Sequence, residues 1–217
     1  MPLLLHKQLS KGGEYAIWEI TESSTFFQER LSLAPLEISE LDRIKGGGKK
    51  LEWLSSRYLL HLMSGRTKRG ALIKDEFGKP HLEQSTHQVS LSHSNGRSAA
   101  MAAPYNIGID IQKIVAKIER IAHKFMRPEE MESLQPTTRL EQLHIYWGAK
   151  EALYKAYGRK ELDFRKHLKV TPIYVVAQSG QTTATIQKDT YQKDFKVNYE
   201  IIDNYIIVRV AAIAIEE

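Results

Sequence analysis

Residues 145–158 read IYWGAKEALYKAYG, and the interpretation of the whole chain depends on this stretch. It is predicted to be the C-terminal half of a helix that begins near Thr137, with Gly158 as the left-handed residue that ends it. Its apolar stripe contains small residues that allow another element to approach closely, at Gly148, Ala149, Ala152 and Ala156. Glu151 and Lys155 lie one turn apart on a second face. The simplest interpretation of that pair is a solvent-exposed ion pair worth about 0.2–0.5 kcal/mol.

The composition is that of a globular protein with surplus positive charge. Of the 217 residues, 42% are hydrophobic and 26% are charged, which is ordinary for a chain that forms one sizeable core or two small lobes. The 31 lysines and arginines outnumber the 26 aspartates and glutamates, so the net charge is +5 and we expect a negatively charged ligand or partner. Nucleic acid, a phosphorylated cofactor and an acidic protein all satisfy that expectation.

The sequence lacks cysteine, which excludes disulfide bonds and thiolate chemistry. No apolar run is long enough to span a membrane, and the first residues lack the basic region of a signal peptide. We therefore expect a cytoplasmic protein without a membrane partner.

Helix and strand patterns occur in two groups, one before and one after about residue 105. Each group mixes helices with antiparallel hairpins, which favours an α+β fold over a doubly wound parallel sheet. We expect an N-terminal α+β half over 1–105 and a C-terminal α+β half over 106–217 that carries the metal and catalytic motifs. Strands are predicted to close the chain near 172–178, 182–187, 191–202 and 205–213.

Asp110 lies in a predicted strand over residues 107–112. Asp110 and Gln112 point to one face of this strand, and the isoleucines at 109 and 111 point to the other. An unpaired carboxylate at the edge of a core is costly, so Asp110 requires a cation, a hydrogen-bond partner or water. This requirement favours a metal or a basic partner near Asp110.

Two common kinds of catalytic site are disfavoured. A serine hydrolase would need Ser92, His93 and Asp110 together, yet adjacent residues of a strand point to opposite faces and no Gly-x-Ser-x-Gly elbow is present. A zinc site would need His81, His87 and His93, but their spacing matches no zinc pattern and cysteine is absent.

A site for phosphate and a hard cation accounts for more of the polar residues. Asp110 and Glu151 supply carboxylates and Gln112 supplies a neutral oxygen, and Mg²⁺ is typically held by one or two carboxylates, waters and substrate phosphate oxygens. Three basic residues could neutralise the same phosphates: Lys79, His93 and Lys155. This interpretation requires the residues to converge in the folded chain.

Four short segments occur in order along the chain: GKP (78–80), SLSHS (90–94), GIDI (108–111) and WGAKEALYK (147–155). Together they resemble the signature segments of the Sfp-type 4′-phosphopantetheinyl transferases. The last segment is similar to the family's Trp/Phe-x-x-Lys-Glu-Ala-x-x-Lys pattern. Each segment alone is a weak signal, but the four in this order and spacing are specific and cover about residues 78–158.

The resemblance implies a monomer of two similar α+β halves related by a pseudo-twofold, with coenzyme A bound in the cleft between them. It implies transfer of the 4′-phosphopantetheine arm of coenzyme A to a serine of an acidic apo acyl or peptidyl carrier protein, which releases 3′,5′-ADP. Mg²⁺ is the implied metal. The carrier could belong to fatty acid, polyketide or nonribosomal peptide biosynthesis, and no nucleic acid is implied.

The resemblance also implies roles for individual residues. Asp110 and Glu151 would bind Mg²⁺, with Gln112 as a further metal ligand where many members of the family have Glu. Lys155 would contact the phosphates, and Glu151 is the candidate base that takes the serine proton, directly or through a metal-bound water. The nucleotide and its 3′-phosphate would contact residues of the first half: Lys79, Pro80, Ser92, His93, and the basic residues Lys49, Lys50 and Arg57.

The alternative function is a binding module with affinity for coenzyme A or nucleic acid and weak catalysis. Nucleic acid has little support, because no aromatic-basic segment of the RNP type is present.

Overall fold

The computed structural model describes residues 2–213 and separates into two compact units, with the boundary between Tyr105 and Asn106. Each unit consists of an antiparallel sheet packed with helices, so the predicted α+β class is confirmed. The pseudo-twofold relation and the assignment of the metal and catalytic motifs to the second half stay predictions. Within residues 2–213, no helix is both long and apolar enough to cross a lipid bilayer.

Unit 1 comprises the residues up to Tyr105. Its elements are β1 (Leu3–Leu9), β2 (Gly13–Glu19), α1 (Ser24–Leu31), α2 (Pro35–Arg43), α3 (Gly47–Ser64), β3 (Leu72–Lys74), β4 (Pro80–Leu82), β5 (Gln88–Ser94) and β6 (Arg97–Ala103). The strand order in the sheet is β1-β2-β6-β5-β4-β3. The helix α3 packs against β6, β2 and β5. The core beneath it contains large buried side chains, among them Trp18, Phe27, Leu54 and Leu59.

Unit 2 begins at Asn106. Its elements are β7 (Ile107–Lys113), a 3₁₀ helix (Ala116–Ile121), α4 (Ala122–Phe125), α5 (Pro128–Glu132), α6 (Arg139–Tyr157), β8 (Leu168–Val170), β9 (Ser179–Lys188), β10 (Tyr191–Ile202) and β11 (Tyr205–Ala212). The strand order is β7-β11-β10-β9-β8. The predicted left-handed end of α6 is confirmed by the φ of 68° at Gly158.

One predicted strand of unit 2 is wrong. The stretch 172–178 is irregular, and the strand that pairs with β9 is β8, which lies just before it. Pro172 accounts for the difference, since proline has no N–H to donate to a neighbouring strand.

The helix α6 lies directly on β7, and the two backbones meet at Gly108. A Cβ atom on Gly108 would lie 1.9 Å from the carbonyl oxygen of Ala152, which belongs to the helix backbone and cannot swing away. Glu151 is the neighbour of Ala152 on α6, and Asp110 lies two positions after Gly108 on the same face of β7. The close approach therefore brings these two carboxylates into one region.

Gly108→Ala is expected to destabilise the protein by about 3 kcal/mol or more. Overpacking usually costs about 1–3 kcal/mol, and here the added methyl group meets backbone. Urea denaturation followed by circular dichroism measures the change in the free energy of unfolding. Gly47→Ala is the matched control, because a Cβ on Gly47 has no atom within 4 Å. Equal stability of the two variants would show that α6 does not depend on this close approach.

Candidate active site

Asp110 receives partners from its own strand and from α6. Only 7% of the residue is exposed. Lys155, in the last turn of α6, donates from Nζ to Asp110 Oδ1 at 2.9 Å and to the carbonyl oxygen of Ile109 at 2.9 Å. Gln112 donates from Nε2 to Asp110 Oδ2 at 3.2 Å. The basic partner that the sequence indicates for Asp110 is therefore Lys155.

Glu151 lies one turn before Lys155 on α6 but has different surroundings. Its side chain is half-buried, and within residues 2–213 the structure gives it no hydrogen bond or ion pair. Burial raises the pKa of Glu151, the charge of Asp110 raises it further, and Lys155 lowers it. The solvent-exposed Glu151–Lys155 ion pair, which is the simplest interpretation of the sequence, is not formed, because Lys155 pairs with Asp110.

A buried histidine that the sequence analysis missed, His144, lies beside Gln112. Its Nδ1 is 2.8 Å from Gln112 Oε1, and its Nε2 accepts the backbone N–H of Val115 at 3.0 Å. Burial lowers the pKa of His144, which favours the neutral ring. The only sequence signal for it is a single histidine between Leu143 and Ile145, within the apolar part of the helix.

Lys150, the neighbour of Glu151, is completely buried and points to a different part of unit 2. Its Nζ donates to Glu130 Oε2 at 2.6 Å and to the carbonyl oxygens of Phe125 at 2.6 Å and Phe164 at 3.1 Å. These contacts attach α6 to α4, to α5 and to the segment that follows α6. Lys150 therefore stabilises the helix that presents Glu151, and it does not join the Asp110 cluster.

The donor set at Asp110 and Glu151 fits Mg²⁺. Burial raises the pKa of Glu151, and repulsion from the neighbouring Asp110 carboxylate adds to this shift; a divalent cation would offset that repulsion. In the part of the chain that the structure describes, no three His, Cys, Asp or Glu residues cluster to hold a metal by themselves. Mg²⁺ does not need such a cluster, because water and substrate phosphates complete its coordination. The metal roles of Asp110, Glu151 and Gln112 stay predictions.

Glu151→Gln is expected to change how stability depends on pH and Mg²⁺. Because its pKa is raised, Glu151 binds its proton more tightly in the folded protein, so the free energy of unfolding without metal falls as pH rises from 4.5 through the raised pKa. The variant should lack this fall. Mg²⁺ at 100 times its Kd should stabilise the wild type by about 2.7 kcal/mol and should leave the variant unchanged.

Thermal unfolding from pH 4 to 8, with MgCl₂ or with EDTA, measures both effects. Glu132→Gln, at an exposed carboxylate of the same unit, is the control and should behave as the wild type. Equal stabilisation of Glu151→Gln and wild type by Mg²⁺ would remove Glu151 from the cation site.

Lys79 and Pro80, two of the residues predicted to hold the nucleotide, lie where a turn enters β4. The backbone N–H of Lys79 donates to Asp75 Oδ1 at 2.9 Å, and Pro80 pairs with Lys74 of β3. The turn thus fixes the backbone from which the Lys79 side chain extends. Their contact with the nucleotide stays a prediction.

Ser92 and His93 are adjacent on β5 and have opposite environments. Ser92 is buried, whereas His93 is exposed and its Nδ1 lies 3.1 Å from Glu52 Oε2 of α3. Their opposite orientation is the geometry that argues against a serine hydrolase. Their contact with the nucleotide also stays a prediction.

Arg57 and Lys49 differ in their access to a ligand, although both lie on α3. Arg57 is 6% exposed; its guanidinium lies 3.4 Å from the Trp53 ring centroid, and Nη2 lies 3.4 Å from Glu40 Oε2. Burial lowers the pKa of Arg57 to about 10, and the charges of Glu37 and Glu40 oppose this shift. Lys49 is exposed in the first turn of the helix. A phosphate could reach Lys49 directly, whereas Arg57 would first have to leave these partners.

Comparison with known families identifies the segment that carries the cluster. Residues 106–210, which contain Asp110, Glu151 and Lys155, match the model of the 4′-phosphopantetheinyl transferase superfamily. Through this segment, the chain is similar to the 4′-phosphopantetheinyl transferase superfamily. The resemblance found in the short segments is therefore confirmed at the level of the superfamily.

The chain is also similar to the 4′-phosphopantetheinyl transferase gsp from Aneurinibacillus migulanus. The two are 28% identical over 111 residues, which make up 50% of this chain and 46% of the relative. The chain thus matches less than half of the relative's length, and a 4′-phosphopantetheinyl transferase activity is a proposal for this protein.

Proposed function

We propose that the chain is a 4′-phosphopantetheinyl transferase of the holo-[acyl-carrier-protein] synthase type. It transfers the 4′-phosphopantetheine arm of coenzyme A to a serine of an apo acyl or peptidyl carrier protein and releases 3′,5′-ADP. One observation carries the proposal: Asp110, Glu151 and Lys155 converge from β7 and α6 within the segment that matches the superfamily.

Asp110 and Glu151 are the proposed ligands of Mg²⁺. Bound Mg²⁺ supplies positive charge that offsets the charge of the coenzyme A pyrophosphate. Lys155 is held beside Asp110 by the contact at 2.9 Å, where its ammonium can also donate to a phosphate oxygen. Lys155 thereby stabilises the charge that develops on 3′,5′-ADP as it leaves.

In the proposed reaction, the serine Oγ of the carrier attacks the phosphorus that bears the pantetheine arm. The Oγ–P bond forms as the bond from that phosphorus to the bridging oxygen breaks, and the electron pair leaves with 3′,5′-ADP. Glu151 is the proposed acceptor of the serine proton. The remaining contribution of the protein is to position the reacting groups.

The proposal includes the partners that the sequence indicates. Residues of unit 1 would hold the nucleotide: Lys79, Pro80, Ser92, His93, Lys49, Lys50 and Arg57. The net charge of +5 favours encounter with an acidic carrier protein. We propose a monomer that acts in the cytoplasm without nucleic acid or membrane partners.

Incubation with coenzyme A, Mg²⁺ and a panel of apo carrier proteins tests the proposal. Carriers of fatty acid, polyketide and nonribosomal peptide synthesis are included, and the expected result is the mass gain of one phosphopantetheine arm on at least one carrier with release of 3′,5′-ADP. EDTA in place of Mg²⁺ should abolish the gain. Coenzyme A binding by calorimetry, or a salt-sensitive gel shift with nucleic acid, without any mass gain would favour the binding module and contradict the transferase.

A further inference from the structure

The side-chain amide of Gln112 is held in one orientation. Its Nε2 donates to Asp110 Oδ2 at 3.2 Å and to the carbonyl oxygen of His144 at 3.0 Å, and its Oε1 lies 2.8 Å from His144 Nδ1. Turning the amide over would place its oxygen against two acceptors and its NH₂ group against the ring nitrogen that carries a proton. The hydrogen bonds therefore define which end of the amide faces Asp110.

The orientation of Gln112 also locates a proton on the His144 ring. Gln112 Oε1 can only accept, so Nδ1 at 2.8 Å carries the proton. His144 Nε2 lies 3.0 Å from the backbone nitrogen and 3.2 Å from the carbonyl oxygen of Val115, and in the neutral ring it accepts the Val115 N–H. His144 is only 2% exposed, which keeps water from replacing these bonds. Gly148 supplies the space for the amide, since a Cβ there would lie 2.9 Å from Gln112 Nε2.

We infer that Gln112 is a positioning residue that holds Asp110 from the buried His144, and that it is not a third ligand of the cation. The inference rests on the proposed function, because it concerns the cation site of Asp110 and Glu151. Ligation through Gln112 Oε1 would break the bond from His144 Nδ1 and turn the NH₂ group away from Asp110. This assignment takes the place of the ligand role that the sequence resemblance implies.

The amide is the side chain that this arrangement requires. A glutamate at position 112 would place a negatively charged oxygen where Asp110 Oδ2 and the His144 carbonyl oxygen now receive N–H groups. Glutamine at position 112, where many members of the family have Glu, is thus matched by His144 and Gly148 on α6. The cation would then be held by the carboxylates of Asp110 and Glu151, with substrate and water completing its coordination.

Nitrogen-15 NMR of the His144 ring in the wild-type protein tests the inference without an activity measurement. We expect the protonated Nδ1 to persist from metal-free protein to saturation with MgCl₂, while the side-chain resonances of Asp110 and Glu151 shift. Loss of the Nδ1 proton signal, or a change of tautomer, as Mg²⁺ binds would overturn the inference. Because the protein is wild type, the result does not depend on whether a variant folds.

Calorimetric Mg²⁺ titration of variants gives a second test. Gln112→Met and His144→Leu should each raise the Kd for Mg²⁺ by about 10–100-fold, as the loss of an outer partner of a ligand does. The double variant should show no further increase, because the two residues act in series. His123→Leu, at an exposed histidine of α4, is the matched control and should keep the wild-type Kd.

The same titrations also give the results that would overturn the inference. If Gln112 were a ligand, His144→Leu would release its oxygen for the cation, so an unchanged or lower Kd in that variant would overturn the inference. Absence of Mg²⁺ binding to the wild type would overturn the metal part of the proposed function and the inference with it. Mg²⁺ binding with displacement of the His144 proton would overturn the inference alone.

Discussion

Asp110→Asn is expected to lower the rate of phosphopantetheinyl transfer by about 10²–10³-fold, the size of effect that follows removal of one preorganised electrostatic group. The substitution keeps the shape of the side chain and an oxygen that can still accept from Lys155. It removes the charge that attracts the proposed Mg²⁺ and that pairs with the Lys155 ammonium at 2.9 Å. The rate of mass gain on the carrier, measured at saturating coenzyme A and Mg²⁺, gives the effect.

The control separates loss of charge at the site from loss of charge in general. Glu132→Gln removes one exposed carboxylate from unit 2 and should leave transfer unchanged. The circular dichroism spectrum of Asp110→Asn in EDTA should match that of the wild type, with lower thermal stability because the new NH₂ group faces a donor, Lys155 or Gln112. Transfer by Asp110→Asn at the wild-type rate, with the fold intact, would remove Asp110 from the catalytic cluster.

The features of the site that the sequence predicts are those with a local cause. The small residues of α6 predict the close approach to another element, and Gly158 predicts the end of the helix. The position of Asp110 between isoleucines predicts that a cationic or hydrogen-bonding partner must be near. In each case, the physical requirement acts on residues that are adjacent or one turn apart.

The features that the sequence does not predict depend on pairings between distant segments. Nothing local indicates that Lys155 pairs with Asp110, 45 residues earlier, and not with Glu151 one turn away. His144 is likewise unremarkable until β7 places Gln112 and Val115 beside it. The irregular stretch at 172–178 has strand-like composition, but Pro172 has no N–H to continue the pairing with β9 beyond the end of β8.

The sequence does not predict the role of Lys150 either, because that role depends on contacts with segments that precede and follow α6. Its ammonium and the Glu130 carboxylate are both fully buried, with Nζ 2.6 Å from Oε2. Glu130 also accepts backbone N–H groups, from Arg127 at 2.8 Å and from Val170 at 3.0 Å. Desolvation lowers the pKa of Lys150, and the charge of Glu130 opposes that shift. The pair thus attaches α6 to α5 and to β8. Because Glu151 follows Lys150 on α6, the pair also helps to fix the position of Glu151.

Lys150→Met is therefore expected to destabilise the protein by about 3–5 kcal/mol, because it leaves the Glu130 carboxylate buried without a counter-charge. The double variant Lys150→Met/Glu130→Gln should be more stable than Lys150→Met alone, since it removes the uncompensated charge and keeps one amide oxygen for the Val170 N–H. Urea denaturation of both single variants and the double variant gives the interaction energy, which should be about 0.5–3 kcal/mol.

Lys160→Met, at an exposed lysine just beyond α6, is the matched control and should change stability by less than about 0.5 kcal/mol. Equal stability of Lys150→Met and Lys160→Met would mean that the buried pair does not hold α6, and the position of Glu151 would then need another cause.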